Sequence, residues 1–222
     1  MPIAQEKGGR KMLKLCVLLA VVALSRGGSP NITLYSGTQQ TGASLFLTDY
    51  NHDLREFNFN DAAESLCGHG AWLLYENPSY QQSEFTHLFV SPGLECEDLP
   101  SVQRNKVTSL RYIGVGDLHI ESITLYHDYE AGGGELLLVR DEDYTEDFND
   151  KTSSLAVVGP SSWTLYEDPY FTGASACVEP ALIEGSDVYF GFFTVDEVGF
   201  RDNKLSAVRK GCHSTNVKVY RP

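Results

Sequence analysis

The chain has 222 residues, with 30 Asp+Glu against 17 Lys+Arg and a formal charge of −13. That length admits one or two domains. So acidic a surface repels phosphate backbones, which excludes nucleic acid as a partner, and it attracts cations, although plain solubility is served equally.

At the N-terminus, Lys7, Arg10, Lys11 and Lys14 precede the apolar run "LCVLLAVVAL" at 15–24, and Ala23 and Ser25 supply the small residues of a cleavage site. This is the layout of a secretory signal peptide at 1–25. Crossing a bilayer takes about 20 apolar residues, and this run is half that. A secreted, extracellular chain with no transmembrane segment after signal removal is therefore expected. Removal takes away four basic residues and Glu6, leaving 13 basic against 29 acidic residues and a formal charge of −16. Asn31-Ile32-Thr33 follows as a lone N-glycosylation sequon, consistent with secretion.

The rest reads as strand. "ITLY" (32–35), "SLFL" (44–47), "AWLLY" (71–75), "ITLY" again (123–126), "ELLLVR" (135–140), "SLAVV" (154–158) and "SWTLY" (162–166) are short, β-branched or aromatic. They end in turn residues such as Ser-Gly, Asn-Pro, Gly-Gly-Gly and Asp-Pro, and no helical period is sustained over three turns. Such spacing predicts an all-β sandwich or Greek-key arrangement. The Cys…Trp…Cys spacing of an immunoglobulin domain is missing, because Trp72 lies only five residues after Cys67.

The strands also repeat. Tyr35, Tyr75, Tyr126 and Tyr166 are spaced by 40, 51 and 40 residues, and Ile32/Ile123, Trp72/Trp163, Tyr75/Tyr166 and Pro78/Pro169 are all 91 apart. Two domains of two units each follow: 30–114, a polar linker at 115–122, 123–214, and a tail at 215–222. Cys16 leaves with the signal, and Cys67, Cys96, Cys177 and Cys212 remain, two per half. Three connectivities are open in an oxidising compartment; the repeat favours Cys67–Cys96 and Cys177–Cys212. No CxxC suggests a zinc ribbon or a redox motif.

In "YEDPYFTG", Tyr166, Phe171 and Gly173 form the pattern Y-x-x-x-x-[FYW]-x-G, in which Asp-Pro starts a turn, two rings can stack and the glycine takes φ > 0. Tyr75/Tyr80 has Gln82 in the glycine place; Tyr35/Gly42 and Tyr126/Gly133 have Gln40 and Ala131 in the second aromatic place. This pattern, four times over about residues 30–214, resembles the Greek-key motif of the βγ-crystallin family. The resemblance implies two βγ-crystallin-like β-sandwich domains of two Greek keys each. It also implies pairing of domains through apolar faces, either within one chain or in a homodimer.

Two oxygen-rich loops, Asn149-Asp150-Lys151-Thr152-Ser153-Ser154 and Asp202-Asn203-Lys204-Leu205-Ser206-Ala207, fit [ND]-[ND]-x-x-[ST]-x. Calcium takes 6–8 oxygens from carboxylates, amides, carbonyls and hydroxyls, and such loops concentrate them; alone, the same residues are ordinary turn formers. In the calcium-binding members that the chain resembles, this motif holds ions shared between the two keys of a domain. Carried over, the side chains of Asn149, Asp150, Ser153, Asp202, Asn203 and Ser206 are candidate ligands. Backbone carbonyls would come from Lys151, Lys204 and the residues after the corner tyrosines, His127 and Glu167. Domain 1 departs from the pattern: "NDAAES" (60–65) has Glu64 in the hydroxyl place and "RNKVTS" (104–109) has Arg104 in the first, so weak or single-ion binding is expected there. The acidic run at 141–150 reads as a solvated loop that could also draw in cations.

No GxSxG or HExxH occurs and the six histidines are scattered, so an enzyme is not expected. The reading is a secreted structural protein in which calcium stabilises mainly domain 2. The alternative is a recognition module for glycans or microbial surfaces using Tyr189, Phe190, Phe192 and Phe193, although so apolar a run is better suited to a buried strand.

Overall fold

The computed structural model describes residues 28–82 and 86–221; the expected signal peptide at 1–25 lies outside them. In the first half the strands are β1 (Asn31–Gly37), β2 (Thr41–Leu47), β3 (Ser65–Tyr75), β4 (Thr86–Asp98) and β5 (Ser109–Tyr112). β3 serves both layers of a sandwich. Ser65–Gly68 pairs with β1 and with the end of β4, while Gly70–Tyr75 pairs with β5 and the start of β4. A register shift between Gly68 and Gly70 makes the bend, and Gly70 has φ +103, which a side chain would strain. Alternation along β1 sends Ile32 and Leu34 inward, where Leu54, Phe59, Leu66, Trp72, Leu74, Phe89 and Leu110 complete the core.

The second half has two sheets. β11 (Ala181–Leu182), β12 (Tyr189–Thr194), β8 (Ser154–Val158), β6 (Ser122–Tyr126) and β7 (Glu135–Leu138) form one in that order. β13 (Ala207–Lys210), β9 (Trp163–Asp168), β10 (Thr172–Glu179) and β14 (Val217–Val219) form the other. Single bridges, Asn51 to Leu110 in the first half and Glu142 to Val208 in the second, join a segment of each odd-numbered key to the closing strand of the next key. That exchange is what makes each pair of keys one core. Trp163, Leu165, Val178, Phe193 and Val208 fill the second core as Trp72 and its neighbours fill the first.

Bridges Cys67–Cys96 and Cys177–Cys212 are both present, so each disulfide stays within its half. The expected tail carries β14, which pairs parallel with β10, and Tyr220, whose ring meets Phe190 and Phe193. The run "YFGFF" is β12, with Phe190 and Phe193 buried. The aromatic candidates of the recognition alternative are therefore largely covered.

A third cluster joins residues of both halves: Ala71, Leu73, Tyr75 and Ile113 pack with Tyr126, Ala131, Ala156, Val158 and Phe190, and Leu118 of the linker lies among them. At its centre is Arg111, 2% exposed. It donates to Tyr75 Oη at 2.9 Å, to the Gly133 carbonyl at 3.0 Å and to the Ala131 carbonyl, and lies 3.3 Å from the Glu135 carboxylate.

Candidate metal centre

The repeat is sharper in the backbone than in the sequence. Each corner tyrosine is followed, four and five residues on, by two left-handed residues: Gln39 and Gln40, Ser79 and Tyr80, Glu130 and Ala131, Tyr170 and Phe171, with φ between 53° and 60°. Such conformations cost about 1 kcal/mol or more apiece outside glycine, and surrounding structure must hold them. In three keys a serine does so. Ser65, Ser109 and Ser154 each accept from the second left-handed residue's amide (Gln40, Tyr80, Ala131) and donate to a carbonyl on the other side of the turn (Gly37, Asn77, Asp128) at 2.6–2.7 Å. These serines are the sixth residue of each oxygen-rich loop; Ala207 stands there in the fourth key. That hydroxyl is thus a fastener for the hairpin, a role the motif alone did not distinguish from ligation.

The rings behave as the spacing predicts where both exist: Tyr75–Tyr80 at 5.7 Å and Tyr166–Phe171 at 5.5 Å between centroids. In the third key, where Ala131 replaces the second ring, the Arg111 guanidinium covers Tyr126 at 4.8 Å instead.

All four oxygen-rich loops also share one backbone. Their second residues, Asp61, Asn105, Asp150 and Asn203, are left-handed at φ 53–57°. Each of those amides donates to the fourth residue of the opposite loop: Asp61 to Val107, Asn105 to Ala63, Asp150 to Leu205 and Asn203 to Thr152. Each fifth residue (Glu64, Thr108, Ser153, Ser206) donates its amide to a corner tyrosine carbonyl at 2.8–3.0 Å. Loops of the two keys in a domain are therefore locked face to face, and side chains alone decide what each pair can hold.

In domain 2 the locked loops bring together oxygens from both keys. Ser153 Oγ, on a residue 3% exposed, lies 2.8 Å from the His127 carbonyl and 2.6 Å from Asp202 Oδ1. One hydroxyl has one proton, so it cannot satisfy both acceptors at once. Three oxygens, one of them charged, thus crowd together with a positive charge in deficit. The related set is Ser206, the Glu167 carbonyl and Asn149. Ser206 is buried, and Asn149 Oδ1 is buried with no hydrogen-bond partner. Asp150 is exposed at the left-handed corner and does not meet Ser153; the carboxylate that does is Asp202 of the opposite loop. Asn203 donates its side-chain amide to Asp202 Oδ2 at 3.1 Å and so orients it. Lys151 and Lys204 occupy the third positions, Lys151 exposed and Lys204 half-buried. Around the site, Tyr129 donates to Asp196 Oδ2 at 2.8 Å, which pushes its hydroxyl up to about 12, with Asp202 adding to the shift.

Domain 1 offers poorer sets. Glu64 Oε1 already accepts from the Asn105 side chain at 2.9 Å, a donor where a cation would sit. Arg104 is turned to the Leu99 carbonyl and toward Asp98. Thr108 Oγ1 and Asp61 Oδ1 are 3.5 Å apart, and Asn60 Oδ1 is buried without a partner. Among the described residues no three His, Cys, Asp or Glu side chains cluster to hold a metal. Any ion here would thus be held by carbonyls, hydroxyls, amides and a single carboxylate. Such a set suits a hard cation bound weakly, and the domain 2 residues fit it.

The family model described as Beta/Gamma crystallin matches residues 31–113, over the five strands and two oxygen-rich loops of the first half. Residues 31–113 are thus a βγ-crystallin domain. Gamma-crystallin N of Rattus norvegicus is 25% identical over 160 residues, 68% of this chain and 83% of that protein, and the Mus musculus protein is 24% identical over the same spans. Geodin, a beta-gamma crystallin from Geodia cydonium, shares the fold with a TM-score of 0.62, 18% identity and coverage of 82% of this chain and 99% of that one. Residues 123–178 match a model described as Peptidase inhibitor family I36. No helix among the described residues is long and apolar enough to cross a membrane.

Proposed function

We propose that this protein is a secreted, non-enzymatic structural protein whose second domain is stabilised by calcium. The observation that carries the reading is the convergence of Ser153 Oγ, the His127 carbonyl and Asp202 Oδ1 within 2.8 Å of the hydroxyl, at a place with too few protons for its acceptors. Calcium would supply the missing positive charge. Asp202 provides the only formal charge in that set, Asn203 aims it, and the reciprocal loop bonds fix the carbonyls. Asn149, Ser206 and the Glu167 carbonyl form the second set. With so little negative charge, affinity in the 10⁻⁴–10⁻³ M range of extracellular modules is expected, so an extracellular setting is where calcium would occupy the site. Occupancy at ten times the dissociation constant adds about 1.4 kcal/mol of stability, and at a hundred times about 2.7. The two disulfides favour the same compartment. Association of the halves through Arg111 and the third cluster supports pairing within one chain rather than in a homodimer.

Thermal melting in calcium against chelator tests the reading. Calcium raises the midpoint of wild type, and Asp202→Asn and Ser153→Ala greatly reduce the rise while Glu64→Gln leaves it. An unchanged midpoint in wild type at millimolar calcium would sink the proposal.

The match of 123–178 to a peptidase inhibitor family favours a second reading, in which domain 2 binds a peptidase. Tyr170, 71% exposed at the fourth hairpin tip, is the most exposed large hydrophobic side chain of that segment and so the natural anchor for such a partner. Inhibition of a panel of endopeptidases that is lost in Tyr170→Ala would support it, and a panel left fully active would remove it.

A further inference from the structure

The sequon Asn31-Ile32-Thr33 has no part in the calcium site, and its placement in the fold gives it a function of its own. β1 alternates, so Ile32 and Leu34 enter the core while Asn31 and Thr33 face outward. Cross-strand register puts Phe46 directly opposite Thr33, and Asn31 diagonally beside it on the same face. His69 lies opposite Asn31, and Cys67, with its bridge to Cys96, opposite Thr33. No layer covers this face among the described residues: Phe46 is 62% exposed and Leu94 75% exposed. An open cleft of about 530 Å³, lined by Gly28, Ser29, Asn31, His69, Gly93 and Leu94, opens beside the asparagine. A polar residue of the acceptor type thus borders an open cleft and an uncovered aromatic ring.

We propose that Asn31 is N-glycosylated and that the first sugar lies against Phe46, covering it. The donor is a lipid-pyrophosphate-linked oligosaccharide. Asn31 Nδ2 forms the bond to the anomeric carbon, that carbon's bond to the pyrophosphate oxygen breaks, and the lipid pyrophosphate leaves with the bonding pair while Nδ2 gives up one proton. Nδ2 retains its second hydrogen, which continues to donate to the Ser29 carbonyl, 3.2 Å away, so the folded contact survives modification. In the finished sheet β1 is bonded on both sides, by β2 and β3, so transfer precedes pairing of the strand. The apolar face of a pyranose then replaces water over the Phe46 ring, and the bulk of the glycan shields the exposed end of the sheet around Leu94. The proposal rests on the secretory route of the preceding reading and not on calcium.

Full-length chain is expressed in cultured mammalian cells, and both medium and lysate are treated with peptide N-glycosidase F. A mass shift removed by the enzyme is expected. It should be absent in Asn31→Gln and Thr33→Ala and retained in Thr33→Ser, which keeps the hydroxyl. Phe46→Ser should keep the glycan and speed its enzymatic removal from the native protein. Secreted protein with no glycosidase-sensitive mass would overturn the proposal while leaving secretion standing. Unmodified protein confined to the lysate would overturn both. A shift that persists in Asn31→Gln would overturn the assignment to this residue.

Discussion

Replacing Arg111 by Met would remove the cation at the centre of the contact between the two halves while keeping most of the side chain's bulk. Its donations to Tyr75 Oη and to the Ala131 and Gly133 carbonyls would go, along with its approach to Glu135 and its cover over Tyr126. Breaking one side of a buried ion pair costs about 3–5 kcal/mol, mostly by leaving the other charge uncompensated. Two features reduce that here. Glu135 keeps 21% of its side chain in solvent, and Tyr75 Oη still donates to the Ala131 carbonyl at 2.7 Å. A loss of about 2–4 kcal/mol is therefore expected. With a urea slope of about 2–3 kcal/mol/M, the midpoint falls by about 1 M. Because the contact joins the halves, unfolding should also separate into two transitions when followed by fluorescence, with Trp72 in one half and Trp163 in the other. Adding Glu135→Gln should restore part of the loss, since the stranded charge is then gone. A single transition with a loss below about 0.5 kcal/mol, the range of an ordinary surface change, would refute the role given to Arg111.

Three further outcomes follow from the same geometry. Ser154→Ala removes the fastener of the third hairpin and leaves the Ala131 amide and Asp128 carbonyl short of a partner. It should cost about 1–3 kcal/mol by denaturant titration, and Ser65→Ala and Ser109→Ala should cost similar amounts. Loss of the Cys177–Cys212 bridge, which closes a separation of 35 residues, should cost about 3–4 kcal/mol and lower the melting temperature under reducing conditions. Tyr129 should titrate near pH 12 by ultraviolet absorbance, because Asp196 accepts from its hydroxyl. Its folded value is raised, so the contribution to stability holds below the ordinary tyrosine range and is lost as pH rises through about 12. Asp196→Asn should lower that value, and calcium beside Asp202 should lower it too.

Much of the fold was legible because the four corner tyrosines recur with fixed spacing and Trp72 and Trp163 anchor equivalent core positions. The disulfides followed from the same repeat. Strand β14 was not legible: Val217-Lys218-Val219 is too short to be told from a tail, and its pairing with β10 is fixed by Tyr220 packing on Phe190 and Phe193. The site was legible as a set of loops and less so as a set of pairs. Sequence places Asp150 three residues before Ser153 and suggests that they act together, yet the left-handed corner at Asp150 points it to solvent while the opposite loop delivers Asp202. Arg111 left one faint sign, the Ala131 that vacates the ring position over Tyr126. What fills such a gap comes from 20 residues away across the domain contact, and no local pattern encodes it.

Calorimetric titration of the protein with calcium is the most direct measurement. Saturable binding is expected with a dissociation constant of about 10⁻⁴–10⁻³ M, strongly weakened by Asp202→Asn and by Ser153→Ala and little changed by Asn105→Ala in domain 1. Absence of binding in wild type, or binding indifferent to Asp202 and Ser153, would contradict this expectation.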